Sequence, residues 1–125
     1  MPIIHQTEIK MAIREDYTVD RASKFDIELT TTIEGVPLSL SSAVITFKAA
    51  IDYDTPPIID MSSADPDAIE ITNSDNGQFT VHLSEDDTNI TISFPTNYVY
   101  DIRVSYENES AIVQYGTLTI LPRLT

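Results

Sequence analysis

Cysteine is absent from this chain of 125 residues, and so is tryptophan. Without a thiol there is no disulfide, no thiolate zinc site, no iron–sulfur cluster and no cysteine nucleophile. Glycine occurs only at positions 35, 77 and 116. Glycines so far apart form neither G-x-x-x-x-G-K-[ST] nor G-x-G-x-x-G, the loops whose backbone amides approach phosphates, so nucleotide chemistry is excluded. Positive charge is scarce: seven Lys and Arg stand against 20 Asp and Glu, giving a net charge of −13. That field repels a phosphate backbone and an anionic membrane alike, and the cations are scattered from Lys10 to Arg123. Neither nucleic acid nor membrane is expected as a partner. No apolar run approaches the ~20 residues of a membrane-spanning helix. Residues 1–10 lack a basic stretch followed by an apolar one, so no signal peptide is expected there.

What is abundant favours strands. Ile, Val and Thr make up 39 of the 125 residues, and branching at the β-carbon suits a pleated surface better than a helix. The order of the residues agrees. Thr7, Ile9, Met11 and Ile13 share one parity, opposite Glu8, Lys10 and Arg14, which marks a half-buried strand. Phe25, Ile27 and Leu29 alternate with Asp26, Glu28 and Thr30, within a strand expected over Lys24–Ile33. Ala43, Ile45, Phe47, Ala49 and Ile51 form a third set, and Ile58 to Met61 a short strand. Ile69 and Ile71 open a hairpin that turns at Asn73–Gly77, where Gly77 is free to take a positive φ, and returns through Phe79, Val81 and Leu83.

Ser84-Glu85-Asp86-Asp87 reads as a capped helical turn near Ser84–Thr88, short because Ile90 and Ile92 resume a strand-like alternation that Pro95 ends. Tyr98, Tyr100, Ile102, Val104 and Tyr106 alternate most cleanly, and after a polar turn at Glu107–Ser110 the chain returns over Ala111–Leu121. Seven to nine short strands separated by turn signals predict an all-β, immunoglobulin-like antiparallel β-sandwich. The expected organisation is an N-terminal strand or arm over residues 1–20, pairing either with this sandwich or with a neighbouring subunit in assembly, and a sandwich domain over residues 21–125.

Few residues suggest chemistry. His5 has no second ligand at usable spacing, and His82 falls on the polar parity of its strand. His82, Ser84 and Asp86 are too close along one strand and turn to form a nucleophilic triad, and there is no G-x-S-x-G elbow. The carboxylate pairs fall in turns rather than across a cleft. Asp52, Asp54, Asp65, Asp67 and Asp75 would suit a hard cation such as calcium if one end of the sandwich gathered them. The EF-hand register fails, however, because Leu83 falls where a bidentate Glu is required. Tyr98, Tyr100 and Tyr106 share a parity, which reads as core packing, with a sugar-binding face as the alternative. No cofactor is expected.

Several blocks appear in an order that resembles a known family. They are Gly35-Val36-Pro37-Leu38-Ser39-Leu40-Ser41-Ser42-Ala43-Val44-Ile45-Thr46-Phe47, then Asp75-Asn76-Gly77-Gln78-Phe79-Thr80-Val81-His82-Leu83-Ser84-Glu85-Asp86-Asp87-Thr88, then Tyr98-Val99-Tyr100-Asp101-Ile102-Arg103-Val104 and Gly116-Thr117-Leu118-Thr119-Ile120. Together, over Lys24 to Thr125, they resemble the immunoglobulin-like domain of bacteriophage tail and baseplate proteins, including the N-terminal domain of baseplate upper proteins. The resemblance implies a non-enzymatic structural protein made in the host cytoplasm and resident in the virion. Its place would be the tail, baseplate or tail-fibre attachment region, in contact with copies of itself and with other phage structural proteins. A capsid decoration or neck protein is the alternative within that class, and a carbohydrate-binding module the alternative outside it. The family carries no catalytic residues.

An edge strand offers unpaired backbone groups to a neighbour, and Thr7–Arg14 and Ala111–Leu121 are the strands expected at the edges. The interface residues expected on that basis are Ile3, Ile4, Ile9, Met11, Ile13, Val113 and Tyr115.

Overall fold

The β-branched runs separate into strands wherever a turn residue interrupts the alternation. A computed structural model describes residues 12–33, 36–37, 39–106 and 109–122. In chain order the strands are β1 (Ile13–Arg14), β2 (Tyr17–Asp20), β3 (Phe25–Thr30), β4 (Thr32–Ile33), β5 (Val36–Pro37), β6 (Val44–Ala50), β7 (Ile59–Ser62), β8 (Ile69–Asn73), β9 (Gln78–Leu83), β10 (Thr96–Tyr106) and β11 (Glu109–Leu121). A single α-turn, α1 (Glu85–Thr88), separates β9 from β10. The larger sheet runs β1-β11-β10-β6-β7, with β2 following β1 along the same side of β11, and the smaller runs β3-β9-β8. A small β4–β5 hairpin stands apart. Two stacked sheets with this strand order are an immunoglobulin-like sandwich. The pairing is antiparallel except at one edge, where β1 and β2 both run parallel to β11. The antiparallel immunoglobulin-like sandwich expected from the sequence forms, with this parallel edge added to it.

The core is the inward parity of both sheets. Ile27, Phe79, Val81 and Leu83 from the smaller sheet meet Ile45, Phe47, Tyr100, Ile102, Leu118 and Ile120 from the larger, all buried. In a chain without a disulfide, a run of aromatic contacts joins the layers. Phe47 stacks on Tyr100 with ring centroids 5.4 Å apart, Tyr17 meets Tyr100 at 5.9 Å, and Tyr17 takes Phe25 edge-on at 5.3 Å.

Local chemistry sets the turns. The β8–β9 hairpin closes through a 3₁₀ turn over Ser74–Asn76, capped by the Asn73 side chain and ended by Gly77 at φ 70°. At α1, the Asp87 amide donates to Ser84 Oγ (3.1 Å) and the Ser84 amide to Asp87 Oδ2 (2.9 Å), a complete capping box. Thr88, buried at the end of that turn, donates its hydroxyl to the Ser23 carbonyl at 2.7 Å and accepts from the Ser23 amide at 2.9 Å. These bonds tie α1 to the turn between β2 and β3.

Several expected boundaries move. The strand expected over Lys24–Ile33 breaks at Thr31, which is buried with its amide and hydroxyl both donating to the Gly77 carbonyl. Ile51 lies outside β6 and is exposed. Ile90 and Ile92 form no strand but pack, half-buried, against the core. Residues 13–20, read as part of an arm, lie along β11 with Val19 in the core.

Candidate interaction surface

The outward parity of the larger sheet gathers an unusual set of side chains. Cross-strand registers place Arg14 of β1, Tyr115 of β11, Asp101 of β10, Lys48 of β6 and Asp60 of β7 in one row. Arg103, next outward on β10, reaches back to Asp101 with Nε 3.7 Å from Oδ1. Beside this row the β6–β7 loop overhangs a groove of about 450 Å³ whose lining includes Lys48, Ala50, Tyr53, Val99, Asp101 and Arg103. Among the described residues, the large apolar side chains left exposed are Ile13, Val44, Tyr115, Ile51, Tyr53, Ile58 and Phe94. Val44 and Tyr115 stand on the outer face of the larger sheet, with Ile13 at its margin in register with the buried Gln114. Ile51, Tyr53 and Ile58 lie on the β6–β7 loop and Phe94 in the link between α1 and β10, and none stands on the smaller sheet.

A close backbone contact holds the β1 side of this sheet. Gly116 has φ 158°, and a Cβ built there would lie 2.0 Å from the Glu15 carbonyl oxygen, so the bend between β1 and β2 fits only against a glycine. Asp16 in that bend accepts from the Thr117 amide at 2.9 Å and from Arg14 Nε at 3.3 Å. The Thr117 amide, aided by Arg14, holds its carboxyl below the usual carboxylate range. Beneath, the Tyr100 hydroxyl donates to the Glu15 carbonyl at 2.6 Å, and Gln114 Nε2 donates to the Tyr17 and Tyr100 hydroxyls at 2.9 and 3.2 Å. Burial raises the pKa of both phenols.

The smaller sheet presents carboxylates instead: Asp26 and Glu28 on β3 and Glu70 on β8. His82 on β9 lies between them, with Nδ1 2.9 Å from Asp26 Oδ1 and Nε2 3.1 Å from Glu70 Oε1. These bonds, first to Asp26 and then to Glu70, raise the imidazole pKa and favour the imidazolium. The two ring nitrogens point to opposite neighbours, which suits a charged clamp across three strands and not a metal ligand set.

Ile3, Ile4, Ile9 and Met11 lie outside the described residues. Ile13, read as half-buried, is 60% exposed at the sheet margin. Tyr115 is exposed on the sheet's face, whereas Val113 packs half-buried against the core at a bulge in β11, between the residues that pair with Ile102 and Arg103. Strand β11 is not an edge, because β10 flanks one side and β1 and β2 the other.

The aspartates do not form one cluster. Asp52 and Asp54 lie in the β6–β7 loop and Asp65 and Asp67 between β7 and β8, while Asp75 sits in the β8–β9 turn at the opposite end from Asp52. Asp52 and Asp65 accept from the amides of Asp54 and Asp67 at 2.9 and 3.0 Å, which makes them turn formers. Among the described residues, no group of three or more His, Asp or Glu side chains is placed to hold a metal. Tyr98 and Tyr100 are buried, and Tyr106 is half-buried with its hydroxyl bonded to the Ser39 carbonyl, so the alternative of a tyrosine sugar-binding face is overturned. What sequence reasoning missed is the outward row with Lys48, Asp101 and Arg103. Its signal was present as the polar parity of β6 and β10, but which strands lie side by side is not written in either one.

No protein-family model and no curated protein matches the chain in sequence. Among solved structures, the second immunoglobulin domain of the mouse polymeric immunoglobulin receptor is similar at 13% identity and a TM-score of 0.48, covering 90% of this chain and 98% of that one. The NK cell receptor Nkp44 is similar at 12% identity and a TM-score of 0.49, covering 90% and 98%. The N-terminal domain of ORF48 from phage TP901-1 is similar at 10% identity and a TM-score of 0.45, covering 88% and 86%. The immunoglobulin-like assignment rests on strand order and pairing, not on these likenesses.

Proposed function

We propose that this protein is a non-enzymatic structural component of a bacteriophage particle, placed in the tail, baseplate or fibre-attachment region and working through contacts between subunits. The fold does not choose this role, since receptor domains and a phage domain alike are similar to it. The ordered blocks from Gly35 to Ile120 supply the phage class by resemblance. The observation that carries a contact role is the set of exposed apolar side chains beside the larger sheet's outer groove: Val44 and Tyr115 on the face, with Tyr53 on the loop above it. Exposed apolar groups gathered on one side of a small domain mark an interaction surface. The partners on this reading are further copies of the chain and other virion proteins, and the place of residence is the assembled particle.

The test is immunogold labelling of purified phage particles with antibody against the full chain. Label at the tail or baseplate end is the expected result. Label on the head or neck transfers the protein to capsid decoration, and particles that carry none of the chain end the structural reading.

A further inference from the structure

We infer that the outer face of the larger sheet is the contact between two copies of this chain, packed face to face about a two-fold axis that runs parallel to the strands between β6 and β10. This rests on the reading of the protein as an assembly component and names the surface and the partner.

The argument starts from charge. Each copy carries −13, so two copies repel at a distance. Of the five Lys and Arg among the described residues, Arg14, Lys48 and Arg103 stand on this face, while Arg21 and Lys24 lie at the turn between β2 and β3. The smaller sheet's outer face offers Asp26, Glu28 and Glu70 around one histidine. Like-charge repulsion is therefore weakest when two copies approach through their larger sheets.

The second step is the order of the row. Reading across the strands, Tyr115, Asp101, Lys48 and Asp60 come from β11, β10, β6 and β7 in turn. A two-fold axis between β10 and β6 reverses this row upon itself. Asp101 of each copy then faces Lys48 of the other, and Tyr115 of each faces Asp60 of the other. A dimer built this way is isologous, with each of these contacts made twice. A two-fold axis that instead runs across the strands along this row sets Asp101 on Asp101 and Lys48 on Lys48.

Third, Lys48 and Tyr115 are open to a partner, while Asp101, 19% exposed and held by Arg103, would share its carboxylate between Arg103 and the partner's Lys48. Among the described residues Lys48 makes no ion pair within 4.0 Å, although it lies between two aspartates in register. Tyr115 is 36% exposed on the same outward face. The neighbouring row holds Val99 and the loop side chain of Tyr53, apolar surface flanking the ionic contacts, as interfaces commonly have.

A charge-swap cycle on the full chain tests this, read by sedimentation velocity and native mass across micromolar to millimolar concentration. The wild type is expected to dimerise reversibly. Lys48→Asp and Asp101→Lys should each weaken the dimer by roughly tenfold or more, because each sets like charges face to face twice. The combined variant should return the affinity to within about threefold of wild type, since the pair is re-formed with its signs exchanged. Circular dichroism and thermal midpoints establish that every variant is folded. Should Asp101→Lys fail to fold, Tyr115→Ala replaces it, and a folded Tyr115→Ala that dimerises like wild type overturns the proposal. It is also overturned by single variants without effect, by a folded double variant that stays dissociated, or by a wild type that remains monomeric throughout. A monomeric wild type leaves the particle-labelling result standing, so this contact and the virion role fail separately.

Discussion

The two outer faces of this sandwich are built by the same alternation yet solve opposite problems. On the smaller sheet every outward charge is acidic except one, and His82 at the centre binds a carboxylate on each neighbouring strand. Those three groups satisfy one another, and Glu28 beside them adds a further exposed carboxylate. On the larger sheet the outward groups are mixed, with Lys48 unpaired among the described residues beside exposed Tyr115 and an overhanging loop that carries Ile51 and Tyr53. A face whose polar groups satisfy one another stabilises the fold; a face that leaves cations and aromatics open keeps its interactions for something else. The difference teaches where to look for contacts in a domain that has no cleft of converging catalytic groups among its described residues.

Gly116→Ala is the sharpest way to break the larger side of this comparison. The new methyl would meet the Glu15 carbonyl oxygen at 2.0 Å, and that oxygen is backbone held by the Tyr100 hydroxyl. Relief requires β1 and β2 to lift from β11, losing Val19 from the core and the Gln114–Tyr17 bond with it. The expected loss is about 2–4 kcal/mol in urea unfolding, with early amide exchange confined to residues 13–20. A variant as stable as the wild type would show that this parallel edge is not fixed by the glycine.

The next effect belongs to the smaller face and depends on pH. His82 has an imidazole pKa raised above its ordinary value of 6.5 by Asp26 and then Glu70. A raised folded-state pKa means the clamp contributes fully below about 6.5 and is lost as pH rises through the folded value. His82→Gln should therefore cost about 1 kcal/mol at pH 6, a figure kept low because the carboxylates are more than half exposed. The gap between wild type and variant should narrow as pH is raised through and beyond the folded value. A gap that stays constant from mildly acidic to alkaline pH would assign the cost to packing and remove the ionic account.

Much of this was legible in the residues before any fold was seen. Tyr98, Tyr100, Ile102 and Val104 advertise an inward parity, and Ser84 with Asp87 advertises a cap, because both signals are local. Gly77 was readable for the same reason, as the residue able to end the β8–β9 turn at positive φ. Strand neighbours are not local. The parity of Tyr17–Asp20 is the same whether that stretch pairs within the sandwich or elsewhere, and only Gly116 with the Glu15 carbonyl decides for β11. The bulge at Val113 inverts the parity of the residues before it, and no local signal in that strand says that β1 and β2 cover its other side. The aspartates looked like a cation set for a related reason: sequence distance hides that Asp52 and Asp75 lie at opposite ends.

The smallest expected effect sharpens the comparison most. Tyr53 is 71% exposed and Ile51 64%, both on the loop that overhangs the larger sheet. Replacing them together, Tyr53→Ser with Ile51→Thr, removes little buried area, so unfolding free energy should move by no more than about 0.5 kcal/mol. The same change should alter concentration-dependent sedimentation, because it strips the Tyr53 ring from the groove beside Lys48 and Asp101. If the pair instead destabilises the monomer by several times that amount, the loop is closing the core rather than facing a partner. The larger sheet would then offer a partner no more than the smaller does, and the asymmetry between the two faces would cease to indicate where copies meet.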